Sequence, residues 1–148
     1  MYELTVTSEF CAAHAITIAG VPETVHGHNF KVSLRLAGET LDADGLLCNF
    51  HALDAALNQT LGPFHNADLN ATPPFDRLNP TAEHIARFIA QSVATKIAPI
   101  LPPGAFVRSC TVTKAPRCAA TYSPPTPTNT PTSTPTPTNT AAPSLPHD

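Results

Sequence analysis

Residues 10–30, FCAAHAITIAGVPETVHGHNF, hold three histidines: His14, then His26 and His28 on either side of Gly27. Residues two apart on an extended strand point to the same side of a sheet. His26 and His28 therefore face one way, and His14 reaches them only from a neighbouring strand. Three neutral imidazoles leave the fourth position of a tetrahedral zinc ion open to water or substrate, the layout of a catalytic zinc site. A single histidine is usually an ordinary core or surface residue. Three of the chain's seven fall in this stretch, two of them at strand spacing, and that pattern points to a metal.

The periodicity on both sides of this stretch is clear. Tyr2, Leu4, Val6 and Phe10 alternate with Glu3, Thr5, Thr7 and Glu9, as in a half-buried strand. His28, Phe30, Val32, Leu34 and Leu36 alternate with Asn29, Lys31, Ser33 and Arg35, which makes a second strand and turns His28 toward packed structure. Asp42 to Gly45 is turn-like. Phe50, Leu53, Leu57 and Leu61 fit one helix face, ended by Gly62-Pro63. Residues 63–80, PFHNADLNATPPFDRLNP, form a long loop, and long loops in small domains are often functional. A second helix starts near Asn79-Pro80-Thr81, carries Ile85, Phe88, Ile89 and Val93 as its apolar stripe, and ends before Pro99 and Pro102. Phe106 to Lys114 and Cys118 to Tyr122 read as two closing strands. The order β-β-α-α-β-β predicts an α+β domain, one antiparallel sheet with two helices on a face. Its edge strands stay open unless other subunits pair them.

A chain of 148 residues suffices for one domain of ordinary size. The net charge of −3 offers no basic face for nucleic acid, and no apolar run is long enough for a membrane helix. The start, MYELTVTSEF, carries acids and alternation in place of a signal peptide's basic start and apolar core. Cys11, Cys48, Cys110 and Cys118 form no CxxC pair. Together these features predict a cytoplasmic protein with free thiols. The composition changes near Ser123. Residues 124–148 hold eight of the seventeen prolines, and PTPTNT occurs at 125–130 and again at 135–140. The expected organisation is a folded domain over 1–122 and a disordered Pro/Thr-rich tail over 123–148.

With the histidine spacing and element order in hand, the chain resembles the zinc-dependent family of 6-pyruvoyl-tetrahydropterin synthase and 6-carboxytetrahydropterin synthase. The matching stretches are SEFCAAHAI (8–16), ETVHGHNFKVSLRLAG (23–38), DGLLCNFHALDAAL (44–57), LNATPPFDRLNPTAEHIARFIA (69–90) and AATY (119–122). The resemblance implies a tunnelling fold, in which three subunits join sheets into a barrel, two rings stack as a hexamer and active sites lie between subunits. It implies Zn2+ on His14, His26 and His28, with Thr81 and Glu83 of the NPTAE segment on the substrate side. Thr81 and Glu83 also have a plain reading as cap and first-turn acid of a helix.

Three positions depart from the family pattern. Pro22 stands where relatives making the pyruvoyl or carboxy products carry a cysteine. Glu23, one residue closer, makes Glu-x-x-His-Gly-His, which resembles a subgroup whose product is 6-hydroxymethyl-7,8-dihydropterin, a folate precursor. His65-Asn66 stands where an Asp-His pair is usual, with Asp68 as a replacement carboxylate. Lys114 stands where a glutamate anchors the pterin ring.

The expectation is a pterin side-chain lyase acting on 7,8-dihydroneopterin or its triphosphate, with Glu23, His65 and Asp68 as candidate catalytic groups. Two alternatives stay open. One is 6-carboxytetrahydropterin synthase activity, for queuosine and deazapurine synthesis. The other is a zinc-holding assembly protein without catalysis.

Overall fold

The computed structural model describes residues 1–126. Strand β1 (Tyr2–His14) and strand β4 (His26–Gly38) run antiparallel along their whole length. Between them lies a small hairpin, β2 (Thr17–Ile18) with β3 (Val21–Pro22). Helix α1 spans Phe50–Leu61, strand β5 Ala67–Asp68, helix α2 Ala82–Ile97, strand β6 Phe106–Ala115 and strand β7 Cys118–Tyr122. The main sheet has the order β5-β1-β4-β6-β7.

The α+β architecture is as expected, with two corrections. The sheet is mixed, because β5 adds two residues parallel to β1. Asn66, at φ 53, donates its backbone N–H to Cys11 O at 2.7 Å and so draws the long loop onto the edge of β1. The stretch between the two histidine strands forms the β2–β3 hairpin. Ala19 and Gly20, at φ 50 and 79, form its tip, a pair of left-handed residues that suits a two-residue hairpin loop.

The strand alternation packs as expected. Val6, Phe10 and Ala12 of β1, Phe30, Val32, Leu34 and Leu36 of β4, and Cys110 and Val112 of β6 are buried in one cluster with both helices. Burying each such Leu or Phe contributes about 1.5–3 kcal/mol. Leu53, Leu57 and Leu61 of α1 and Ile85, Ile89 and Val93 of α2 supply the facing layer. Two expected core residues lie outside it. Tyr2 is opposite Gly38, which has no side chain to cover it, and Phe50 sits at the start of α1; both are about half exposed.

Register slips shape β6. Arg35 pairs with Ser109 and Leu36 with Val107, so Arg108 is an extra residue against β4. Thr113 pairs with Ala119 and Ala115 with Cys118, so Lys114 is unmatched against β7. All four cysteines are free. Pro124 and Pro125 lie along an apolar groove with Leu101, Pro102 and Phe106. The rest of the expected tail, 127–148, lies outside the described residues. Among those described, no helix is long and apolar enough to cross a membrane.

Candidate metal centre and substrate cavity

The β1–β4 register assembles the three histidines. His14 pairs with His26 and Ala12 with His28, so all three side chains share the helix-facing side of the sheet at one end. Their potential ligand atoms lie within 4.8 Å of one another. The His14, His26 and His28 rings are 4.8–5.2 Å apart, centroid to centroid. Phe30 lies behind them, stacked on Phe10 at 4.9 Å and edge-on to His14 at 5.3 Å.

Hydrogen bonds orient the rings. His14 Nδ1 is 2.8 Å from Pro80 O, and His26 Nδ1 is 2.8 Å from Thr24 O. A carbonyl can only accept, so in the neutral ring Nδ1 carries the proton and Nε2 is left with a lone pair. Nε2 of His14 and Nε2 of His28 are buried and have no hydrogen-bond partner. Buried polar atoms are rarely left unpaired. Three convergent imidazoles, two of them backed by a backbone carbonyl, are what a zinc ion binds, so this donor set fits the metal. Burial, above all, holds the His14 and His28 pKa values below the ordinary 6.5 and keeps both rings neutral; the Lys114 ammonium adds to the effect.

The backbone just after His14 is held by two asparagines of the long loop. Asn70 exchanges two hydrogen bonds of 2.8 Å with the backbone of Ala15. Asn79 exchanges two of 2.9 Å with the backbone of Thr17. They bring the start of α2, and with it Pro80 O, up to His14. The only hint in the sequence was their place in Leu-Asn and Asn-Pro steps of the long loop.

Beside His14 lies a cavity of about 370 Å³, lined by Thr17, Thr81, Glu83, Lys114 and Cys118 among others. Thr81 also caps α2, its Oγ1 accepting from His84 N at 3.2 Å. The cap expectation for Thr81 therefore holds, and the same residue lines the cavity. Glu83 stands in the first turn of α2. Glu23 follows the hairpin, its N–H donating to Ile16 O at 2.9 Å. Its Oε2 is 4.0 Å from His26 Nε2, beside the point where the three rings converge.

His65 and Asp68 are not brought to this cavity within one chain. The His65 ring lies edge-on to Phe10 at 6.5 Å. Asp68 accepts from Asn70 N at 3.0 Å and caps the short 3-10 turn Leu69–Ala71.

The family model for 6-pyruvoyl tetrahydropterin synthase matches residues 3–125. The chain belongs to this family. Among curated proteins it is 31% identical over 91 residues to the putative 6-carboxy-5,6,7,8-tetrahydropterin synthase of Archaeoglobus fulgidus, covering 62% of this chain and 75% of that one. It is 35% identical over 98 residues to the 6-carboxy-5,6,7,8-tetrahydropterin synthase of Bacillus subtilis, covering 62% of this chain and 65% of that one.

Solved 6-pyruvoyl tetrahydropterin synthases share the fold. The Caenorhabditis elegans structure superposes with a TM-score of 0.72 at 17% identity, covering 84% of this chain and 96% of that one. The Plasmodium vivax structure superposes at 0.69 and 24%, covering 82% and 96%. These similarities establish the tunnelling-fold subunit of the pterin synthase family.

Proposed function

We propose that residues 1–122 form a zinc-dependent carbon–carbon lyase acting on the side chain of 7,8-dihydroneopterin or its triphosphate, with Glu23 as the proton-transferring group. The observation that carries this reading is the Glu23 carboxylate, 4.0 Å from His26 Nε2 at the edge of the three-histidine cluster. Membership of a pterin synthase family supplies the substrate class. A catalytic glutamate has a precedent in the Plasmodium vivax 6-pyruvoyltetrahydropterin synthase.

His14, His26 and His28 would hold the zinc. Zinc held there supplies Lewis acidity, which eases loss of a proton from a hydroxyl brought against it. Glu23 takes the proton of the C2′ hydroxyl. The C1′–C2′ bond breaks, C2′ leaves as an aldehyde carbonyl, and the electron pair at C1′ spreads into the ring's C6=N5 unit. Glu23 then returns the proton to C1′, and the product is 6-hydroxymethyl-7,8-dihydropterin. Pro22, lacking any exchangeable side-chain proton, takes no part. His65 and Asp68 are not called on within the chain; in a hexamer with sites between subunits they would serve a neighbouring copy.

The second reading is 6-carboxy-5,6,7,8-tetrahydropterin synthase activity. Both curated relatives carry that name, and the similarity to them favours it over the hydroxymethyl product. Pro22 and Glu23 are the residues that argue the other way. The two are separated by incubating zinc-loaded protein with 7,8-dihydroneopterin triphosphate and identifying the products by mass. Formation of 6-hydroxymethyl-7,8-dihydropterin, abolished in Glu23→Ala while zinc stays bound, is the expected result. 6-Carboxytetrahydropterin as the product would favour the second reading and remove Glu23 from its role. Substrate returned unchanged by zinc-loaded protein would mark a zinc-binding assembly protein.

A further inference from the structure

The cavity beside His14 contains two charges of opposite sign that form no ion pair among the described residues. Glu83 and Lys114 both line it. Among the described residues the ion pairs are Glu23–His26, Asp76–Arg77 and Glu3–Arg108, so neither cavity charge is neutralised by the other. Thr81 alone supplies the side-chain cap of α2, which leaves the Glu83 carboxylate uncommitted.

Separate features put the two residues there. Glu83 is the second residue of α2, whose start is tied to the metal centre by the Asn79 clamp and by Pro80 O on His14. Lys114 is the residue at which the β6–β7 register slips. It continues the alternation of Cys110 and Val112, which face the core, and so comes out on the His14 side of the sheet. Bulges often re-aim a side chain next to a site.

A carboxylate only accepts hydrogen bonds, and an ammonium only donates. Together they match a ligand edge that presents neighbouring N–H donors beside a carbonyl oxygen. The 2-amino-4-oxopyrimidine ring of a pterin has that edge, with its 2-amino group, N3–H and O4 in a row. We propose that Glu83 and Lys114 grip this edge jointly, Glu83 accepting from the 2-amino and N3 hydrogens and Lys114 donating to O4. The assignment rests on the pterin reading above and deepens it. Lys114 then is no lapsed anchor. The accepting role has moved to α2, and the lysine reads the next atom along the ring.

The test titrates the zinc-loaded 148-residue protein with 7,8-dihydroneopterin, following ligand fluorescence, with zinc content measured for every variant. Glu83→Gln and Lys114→Met are each expected to weaken binding by about tenfold or more, since each removes a charge-assisted hydrogen bond. Lys114→Glu is expected to weaken it at least as much, because O4 then faces a second acceptor. Lys114→Gln replaces any lysine variant that loses its zinc. Tighter binding by Lys114→Glu would mean that an acid belongs at 114, and would overturn the proposal. So would unchanged binding in Glu83→Gln and Lys114→Met. Failure of the wild-type protein to bind the pterin at all would overturn the proposed function and this assignment with it, an outcome distinct from the other two.

Discussion

At the scale of single residues, the protonation state of each side chain sets what it can do. His14 and His28 are held below the ordinary 6.5 by burial. The neutral ring is the metal-binding form, so zinc is expected to stay fully bound above pH 6.5 and to be released as pH falls through the lowered values. Metal content after dialysis across that range checks this. His26→Ala should bring zinc below one ion per chain even at pH 8, and a variant that keeps stoichiometric metal would contradict the ligand assignment.

The cysteines divide the other way. Burial pushes the Cys110 thiol up to about 12 and raises that of Cys48, whereas Cys11 and Cys118 are exposed. A thiol reagent at pH 8 should label Cys11 and Cys118 within minutes, and Cys48 and Cys110 only on unfolding. Because the folded-state value of Cys110 lies above its ordinary 9.0, the stability it contributes is complete below pH 9.0. That contribution is lost as pH rises toward about 12, which a denaturant series across alkaline pH would show.

At the scale of elements, the site depends on how the loop before α2 is fastened. Asn79 makes two hydrogen bonds to the Thr17 backbone and stands just before the carbonyl that orients His14. Asn79→Ala is expected to lower stability by about 1–3 kcal/mol, two net hydrogen bonds' worth. It should also weaken zinc affinity by about 10- to 100-fold, as losing the support behind a metal ligand does. Urea unfolding and a competitive zinc chelator measure the two effects separately. If stability falls with zinc affinity unchanged, Asn79 fastens the hairpin without positioning His14. The strands and helices themselves were legible in their periods, because each packs one face on one core. Helix α1 shows where that stops. Its stripe at Leu53, Leu57 and Leu61 is buried, yet Phe50 at its start is exposed, since hydrophobicity alone does not say where a helix runs past its sheet.

At the scale of the whole molecule, β7 ends the sheet with its outer edge unpaired among the described residues. An open edge is a template for another chain. The family reading has subunits join their sheets there, with His65 and Asp68 outside their own chain's cavity. In solution the protein is expected to run as a particle of six 15.6 kDa chains in light scattering after size exclusion. A monomer at micromolar concentration would leave the cavity without a neighbour and contradict the shared-site arrangement.

The sequence by itself determined the α+β order, the two long strands, both helices and the histidine triad. Each of these is written in short-range periodicity or in a two-residue spacing that strand geometry turns into a shared face. It also marked Glu23 and Lys114 as departures from the family pattern. Only the tertiary structure decided the rest. The Asn70 and Asn79 clamps join residues more than fifty positions apart, and no local pattern encodes such partners. The β5 edge exists because a loop happens to pass β1. The meeting of Glu83 and Lys114 in one cavity depends on a helix start and a register slip from opposite sides of the core, which the chain brings together only by folding.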